Sequence, residues 1–464
     1  MVSGSRLEGL FRRVVALRAP ILAAAALALG ASAWLATRIP AEGSIDRLIV
    51  ASDPDYLATR AFQKVFPEGQ MGMLLLEADD PWRPEVLAEV AAAVEALRGI
   101  PRVTPFSALD LFRRARPGVT PGEEGARAFR AFATGTDLFR RQGLWGERFQ
   151  GVALAFSVKG PAERDAALQA VDRALGGVRL RAVKEVRKVG APWVESWIEH
   201  ESSRASLRYF PVFGLFVVGI ALFLYRSLRS LLAILLALGT AVALAMGAGA
   251  LLGFSSTVVT ALVPLTVMVT TVASLVYLHS RFVDQPEGVS TDDHQAFALA
   301  NKFLPVTAST VAAVLGFAAL SVSRIRPIRE MGVWTAVGLA LSWLVAFTVF
   351  PALQKVLRTP TGRTVAVRSR LYDRVAAAIP GFTFRWRWAL VPGSLLLAAA
   401  GAAALLGVRG LAAPMRVGVD SLDYVDPSLA IHRDMVFFRK HVAGVNVARV
   451  WVRTAPGAVA DPEV

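Results

Sequence analysis

The sequence predicts an α-helical polytopic membrane protein with an inserted α/β extracytoplasmic domain. The 464-residue chain is 54% hydrophobic with a mean hydropathy of +0.48, which is too apolar for a soluble protein of this length. Several apolar runs have about 20 residues, the length of a spanning helix. A long polar stretch after the first run alternates strand and helix patterns, which is typical of a compact α/β domain.

The N-terminal segment is predicted to consist of a cytoplasmic stretch, residues 1–18, and a first spanning helix, residues 19–37. Arg12, Arg13 and Arg18 precede this helix, and basic residues favour the cytoplasmic side of a membrane. The apolar run ends in WLATRIP, without the small-residue cleavage site of a secretory signal. We therefore expect a retained helix in the inner (plasma) membrane, with a cytoplasmic N-terminus.

Residues 38–208 are expected to form the extracytoplasmic domain. Pro84 is expected to open an amphipathic helix, because proline suits the first helical turn. A second helix is expected over residues 161–175, and residues 107–149 are predicted to be a helical insertion broken by RPGVTPGEEG. Three strands are predicted from buried or alternating apolar patterns: Met71–Glu77, Val152–Val158 and Val178–Val189.

Residues 209–353 are expected to form a bundle of five further spanning helices. A basic cytoplasmic linker, residues 354–387, and a seventh spanning helix, residues 388–408, are expected to follow. The SRIRPIRE segment carries three arginines on the outer side, so we expect it to be a short interfacial segment. The five apolar runs of the bundle are Tyr209–Tyr225, Leu231–Leu252, Thr257–Leu278, Leu304–Val322 and Met331–Leu353.

A weak internal repeat relates the two polar stretches that follow the first and the seventh helix. Each begins with Ile-Asp or Val-Asp, continues through Asp-Pro and an amphipathic helix, and reaches Pro-Glu-Val. We expect residues 409–464 to be the truncated start of a second extracytoplasmic domain, in a protein of twelve spanning helices built from two parallel halves. Chance similarity between two α/β loops is the alternative, because the matching motifs are short.

Polar residues inside the apolar runs are the candidates for a transport pathway, because polar groups in hydrocarbon mark routes for ions or substrate. No Asp or Glu occurs inside these runs. On the fourth helix, Thr266, Thr270, Ser274 and Tyr277 follow spacings of one helical face, and Thr257 and Thr260 precede them. On the fifth helix, the candidates are Thr307 and Thr310.

Each of these hydroxyl residues also has a purely structural interpretation. Ser and Thr join helices in membranes and often bond back to their own turn. His279 is expected to snorkel to the cytoplasmic interface rather than to relay protons. Gly316, Gly332 and Gly338 are predicted to allow close packing of helices five and six.

Several motifs resemble the resistance–nodulation–division (RND) superfamily. Leu304 to Leu353 is similar to its fifth and sixth helices in the Thr-Ser-Thr segment, Gly-Phe, Pro-Ile-Arg-Glu-Met-Gly and the closing Pro-Ala-Leu. YRSLRS resembles its loop between helices two and three, and KVGAPW the end of its first extracytoplasmic domain. The modest loops look most like the MMPL-type (mycobacterial membrane protein large) and hopanoid-exporter branches, and the bundle resembles a sterol-sensing domain. The chain then corresponds to one RND repeat of six helices plus a seventh helix.

This resemblance implies an exporter of hydrophobic or lipidic substrates driven by protons. Related members place an Asp on the fourth helix, and alignment on Ser280-Arg281-Phe282 puts that Asp at Ser274. A hydroxyl does not titrate near neutral pH. Two interpretations remain open: the titrating group lies in a second half of the protein, or this branch is a non-transporting lipid sensor or regulator. An auxiliary of protein secretion is a weaker third.

Other function classes are excluded or disfavoured. The chain has no Cys, which excludes disulfides and thiol catalysis, and its five His lack ligand spacing. We predict no enzyme activity, no cofactor and no metal, and we interpret Asp46, Asp53 and Asp55 as turn and cap residues. The net charge of +15 reflects topology rather than nucleic-acid binding. The expected partners are membrane lipids, a hydrophobic substrate and a second copy of the chain in a homo-oligomer.

Overall fold

The computed structural model describes residues 2–40, 70–118, 122–257, 259–286, 288–361, 370–407 and 425–442, with single positions between 54 and 62. Most of these residues are helical, and one four-stranded sheet is present. Seven helical segments of the described chain are long and apolar enough to cross a membrane. The chain is therefore a polytopic helical membrane protein with an inserted α/β part. The aspartates at positions 46, 53 and 55 lie outside the described residues, as do about half of the first repeat copy and most of the second.

The inserted domain is built on an antiparallel sheet with the strand order β2-β3-β1-β4. Its strands are β1 (Gln70–Glu77), β2 (Val103–Ser107), β3 (Phe149–Phe156) and β4 (Glu185–Gly190). Two crossover helices, α3 (Pro84–Arg98) and α7 (Pro161–Gly177), complete a βαββαβ path of the ferredoxin-like type. Three short helices form the insertion before β3: α4 (Ala108–Ala115), α5 (Glu123–Thr134) and α6 (Asp137–Arg141).

The core of this domain lies between the sheet and its helices. Leu74 and Leu76 of β1 are fully buried, and they belong to one apolar cluster with the inner faces of α3 and α7. The predicted apolar stripe of α3 is confirmed: Val86, Val90, Val94 and Leu97 are all buried. Pro84 occupies the first turn as predicted.

Two strand predictions differ from the structure. The sequence analysis missed β2, whose Pro105 weakens a strand pattern, but β2 is an edge strand where proline is tolerated. The predicted strand Val178–Val189 is shorter, because only Glu185–Gly190 pairs with β1. Upstream of it, the backbone N–H groups of residues 181–183 donate to the Glu89 carboxylate instead of to a strand.

The membrane part begins with α1 (Val2–Ala16) and α2 (Arg18–Ala36), separated by Leu17. Phe11 of α1 is buried against Phe303 and Phe347 of the bundle, so α1 packs onto the other helices. The remaining helices are α8 (Ala191–Tyr225), α9 (Leu228–Leu251), α10 (Val263–Val283), α11 (Thr291–Ala318), α12 (Arg326–Phe347), α13 (Val349–Val356), α14 (Arg370–Arg385) and α15 (Arg387–Leu406).

Helix α8 joins the two parts without a break. It starts at Ala191, directly after β4, and continues for 35 residues to Tyr225, just before α9. The predicted boundary at residue 208 therefore lies within a continuous helix. At 1.5 Å per residue, this helix is about 52 Å long.

The loops around α10 and α12 differ from the predictions. Thr257 is not on the fourth spanning helix, because Thr257 and Thr260 bond to each other in a turn before Val263. The segment SRIRPIRE is divided between a connection, residues 323–325, and the start of α12. A 3-10 turn ends at Val322, and the first turn of α12 begins at Arg326 with Pro327 in its first positions.

The last described element is α16 (Ala430–His441), which packs on the inserted domain. Met435 joins an apolar cluster with Leu75, Phe149 and Val189, on the sheet face away from the main core. Asp434 accepts hydrogen bonds from Arg187 Nη1, at 3.2 Å, and from the backbone N–H of Lys188, at 3.1 Å. A segment distant in sequence thus completes this face of the first domain.

Candidate functional site

The hydroxyl face of α10 is the first candidate site. Each of its aliphatic hydroxyls donates to the carbonyl oxygen four residues earlier: Thr266 to Leu262 at 3.0 Å, Thr270 to Thr266 at 2.9 Å and Ser274 to Thr270 at 3.0 Å. This is the back-bonding pattern that satisfies a hydroxyl inside its own helix.

The same face is only half-buried, and Tyr277 at its end is 42% exposed. The opposite face of α10, with Pro264, Met268 and Val272, is buried in the bundle. The predicted residues therefore lie along one side of the bundle and are partly accessible from outside it. We call the face formed by Thr266, Thr270, Ser274 and Tyr277 the hydroxyl seam.

The candidates on α11 have other neighbours. Thr307 Oγ1 accepts a hydrogen bond from Trp343 Nε1 of α12, at 3.0 Å, which ties it to a helix–helix contact. Thr310 is buried. Thr307 and Thr310 are therefore not part of the exposed surface that carries the hydroxyl seam.

The three predicted packing glycines have different surroundings. A Cβ at Gly332 would lie 2.6 Å from Leu320 Cβ and from the Phe317 carbonyl oxygen, and a Cβ at Gly338 would lie 2.8 Å from Val267 Cγ2. Gly316 is exposed, with open space around it among the described residues. Close helix contacts also occur at glycines that the sequence analysis did not select, because Gly249 packs against Trp334 and Gly247 against Ser32.

A buried polar network near one end of α10 was not expected. His279 is 0% exposed, so it does not snorkel to an interface. Its Nδ1 atom lies 2.8 Å from Nε2 of Gln354, and Gln354 Oε1 accepts from Gln295 Nε2 at 3.1 Å. These three side chains connect α10, α11 and α13, and the ring of Tyr225 packs edge-on against His279 with 4.4 Å between ring centroids. Buried amides and imidazoles in such a chain specify one packing of the helices.

A buried carboxylate also escaped the sequence analysis. Glu330 lies at the start of the second turn of α12, is 7% exposed and pairs with Arg326 Nε at 2.6 Å. The apolar run was taken to begin at Met331, one residue later. Pro327 could have revealed this residue, because proline favours the first positions of a helix and places Glu330 inside the span.

A comparison with protein families decides the identity. The sequence model of the MMPL family matches residues 155–392, just over half of the chain. The chain belongs to the MMPL family. The MMPL match begins in β3, covers α8 to α13 with the hydroxyl seam, and ends within α15. No curated protein matches the chain significantly.

In this MMPL protein, a buried ionic cluster fixes the inserted domain to the helix that enters the membrane. Arg164 of α7 is nearly fully buried and contacts two carboxylates of α8: Glu195 at 3.2 Å and Glu199 at 2.6 Å. Asp165 lies 3.5 Å from the same guanidinium. The cluster therefore couples α7 to α8 one or two turns after β4.

A second ionic cluster holds α16. Arg187 Nη2 contacts Glu77 at 2.6 Å, while its Nη1 contacts Asp434, and the guanidinium lies 4.4 Å from the ring centre of Phe437. Burial raises the pKa of Asp434 above its ordinary value, and hydrogen bonds from Lys188 and Arg187 oppose this shift without cancelling it. Ionisation of Asp434 thus works against the docking of α16.

Proposed function

We propose that this MMPL protein exports hydrophobic or lipidic molecules across or out of the inner membrane, with its N-terminus in the cytoplasm. The observation that carries the proposal is the MMPL match over a bundle whose helix α8 continues from an extracytoplasmic-type α/β domain into the membrane. A rigid connection of this kind suits a transporter, because a tilt of the membrane helix moves the domain that would form the exit path.

We further propose that proton-motive force drives export and that the titrating group lies outside the hydroxyl seam. Ser274 occupies the position of the acid in related members, but its hydroxyl is bonded to its own helix and offers no proton near neutral pH. The seam would then supply hydrogen-bonding partners to the group that titrates. The proposal includes no enzyme activity and no cofactor, and its partners are membrane lipids, the substrate and other copies of the chain.

A reconstitution experiment tests transport directly. The full chain is placed in liposomes that contain a fluorescent phospholipid and a lumenal pH dye, and a pH gradient is imposed. Export predicts movement of the labelled lipid between leaflets together with proton flux, both absent from protein-free liposomes. If the full-length protein, with both expected halves, gave lipid movement and proton flux only at the protein-free rate, the proposal would be refuted.

A second candidate function is a lipid sensor that does not transport. It is favoured by the hydroxyl seam itself, where every aliphatic hydroxyl is already bonded within α10. The sensor predicts saturable lipid binding without flux in the same liposomes. Deletion of the gene in its native host separates the two further, because loss of an exporter changes the distribution of envelope lipids.

A further inference from the structure

Two cations stand on aromatic rings where α10 and α11 cross at the end of the hydroxyl seam. Lys302 Nζ lies 3.9 Å from the ring centre of Tyr277, and the Arg281 guanidinium carbon lies 5.2 Å from that of Phe297. The two pairs are successive contacts between antiparallel helices, because the residue number rises along α10 as it falls along α11. An aromatic ring holds a cation in place but leaves most of its N–H groups free.

These cations have no acidic partner in the part of the chain that the structure describes. Neither Lys302 nor Arg281 forms an ion pair there, and the buried Nε of Arg281 has no hydrogen-bond acceptor. The aspartates at the start of α11 are already engaged, because Asp292 pairs with Lys355 and Asp293 with Arg12. The crossing therefore carries uncompensated positive charge.

The depth of the pair matches the level of lipid headgroups. The helix from Lys302 to the end of its span at Val322 is about 30 Å long at 1.5 Å per residue. The hydrocarbon core of a bilayer is also about 30 Å thick. If the far end of the span lies at one boundary of the hydrocarbon, Lys302 lies at the other.

The surface beside the pair is shallow and apolar. Toward the membrane centre, α11 exposes Pro305, Ser309, Ala312 and Gly316, and a Cβ at Gly316 would meet open space. Because these residues have small side chains, they leave a shallow strip along α11 on which an acyl chain can lie. A cationic end and an apolar length are the two features of a phospholipid site.

We propose that Lys302 and Arg281, held by Tyr277 and Phe297, bind the phosphate headgroup of an anionic phospholipid whose acyl chain lies along this exposed strip of α11. The site does not depend on transport, because lipid can bind there in an exporter or in a sensor. Charge complementarity favours an anionic lipid over a second protein helix as the occupant.

Lipid titration of the full chain by native mass spectrometry tests the site. Phosphatidylglycerol is expected to bind more tightly than phosphatidylcholine, and Lys302→Gln or Arg281→Gln to weaken phosphatidylglycerol about fivefold each, from the typical contribution of one cation near a membrane surface. Lys302→Arg keeps the charge and the ring contact, so it should bind normally. Arg229→Gln is the matched control, because Arg229 is an exposed arginine in the first turn of α9.

Four results would overturn the proposal. One is equal binding of the two lipids by the native chain. Another is unchanged phosphatidylglycerol binding by folded Lys302→Gln and Arg281→Gln, with folding judged by gel filtration. The third is displacement of the lipid by soluble glycerol phosphate at constant ionic strength, which would indicate a site for small anions. The fourth is disulfide cross-linking of an Ala312→Cys variant into dimers in lipid, which would assign this strip of α11 to a second copy.

Discussion

Replacing Arg164 with methionine should destabilise the inserted domain more than any surface substitution on the same helix. The guanidinium serves Glu195 and Glu199 of α8, and its side chain is nearly fully buried. Methionine fills a similar length but leaves the two carboxylates without the cation they share. Removal of one partner from a buried ion pair costs about 3–5 kcal/mol.

The expected thermal shift follows from the size of the domain. The inserted domain from β1 to β4 spans residues 70–190. In domains of this size, each kcal/mol moves the unfolding midpoint by about 4 °C. Arg164→Met should therefore lower the midpoint of this domain by about 10 °C or more.

The assay uses the absence of cysteine from the chain. A Val171→Cys substitution in α7 places one thiol at a fully buried position, where it reacts with a thiol dye only when the domain opens. The labelling midpoint on heating is measured in detergent for this background and for Arg164→Met added to it. Arg173→Met is the matched control, since Arg173 is exposed on the same helix and donates only to Gln169 within its own helix.

A double substitution sharpens the test. Adding Glu195→Gln to Arg164→Met removes one buried charge, so the pair should lose less than the sum of the two single losses. A labelling midpoint for Arg164→Met within about 2 °C of that for the Arg173→Met control would refute the assigned role of the cluster. At about 4 °C per kcal/mol, such a difference corresponds to about 0.5 kcal/mol or less.

Three further outcomes are expected. Gly249→Ala should lower the stability of the bundle by about 1–3 kcal/mol, because a Cβ at this position would meet the Trp334 indole, 2.6 Å from Nε1. Gly239→Ala on the same helix is the control and should be neutral. Gel filtration after heating compares the two variants. Burial alone would raise the pKa of Glu89, but three backbone N–H donors lower this pKa below its ordinary value near 4.5. The ionised Glu89 carboxylate therefore stabilises the domain above pH 4.5, and this stabilisation is lost as the pH falls through the lowered pKa. Acid unfolding measured by labelling of the buried thiol should accordingly be less steep in Glu89→Gln, and an unchanged pH profile would count against the assignment. Because the pKa of Asp434 is raised in the docked state, docking of α16 should strengthen as the pH falls through that raised value. In Asp434→Asn, docking should no longer depend on pH in this range. Spin-label distances between α16 and the sheet measure both.

The membrane topology was accessible from the sequence because length and hydropathy determine a spanning helix almost alone. The seven predicted runs lie within the seven helical spans or overlap them closely. The strands were harder. Proline in β2 masks an edge strand, and the loop before β4 is set by Glu89, whose partners lie more than 90 residues away in sequence.

The candidate sites divide in the same way. Helical spacing placed Thr266, Thr270 and Ser274 on one face, because that geometry is local. The burial of His279 was not predictable, since it depends on Gln295 and Gln354 from two other helices. The cations of the proposed lipid site were likewise visible as residues, but their pairing with rings required the register of α10 against α11.

The docking of α16 has a consequence for how the protein is made. The apolar sheet face formed by Leu75, Phe149 and Val189 is covered by Val194 of α8 and by α16, whose Met435 leaves the ribosome about 250 residues after the last strand. At typical synthesis rates of about 5–20 residues per second, this face waits about 12–50 s while the membrane helices are inserted. During that interval the nascent domain exposes part of this apolar face, so its folding favours a chaperone that holds the face until α16 has been made.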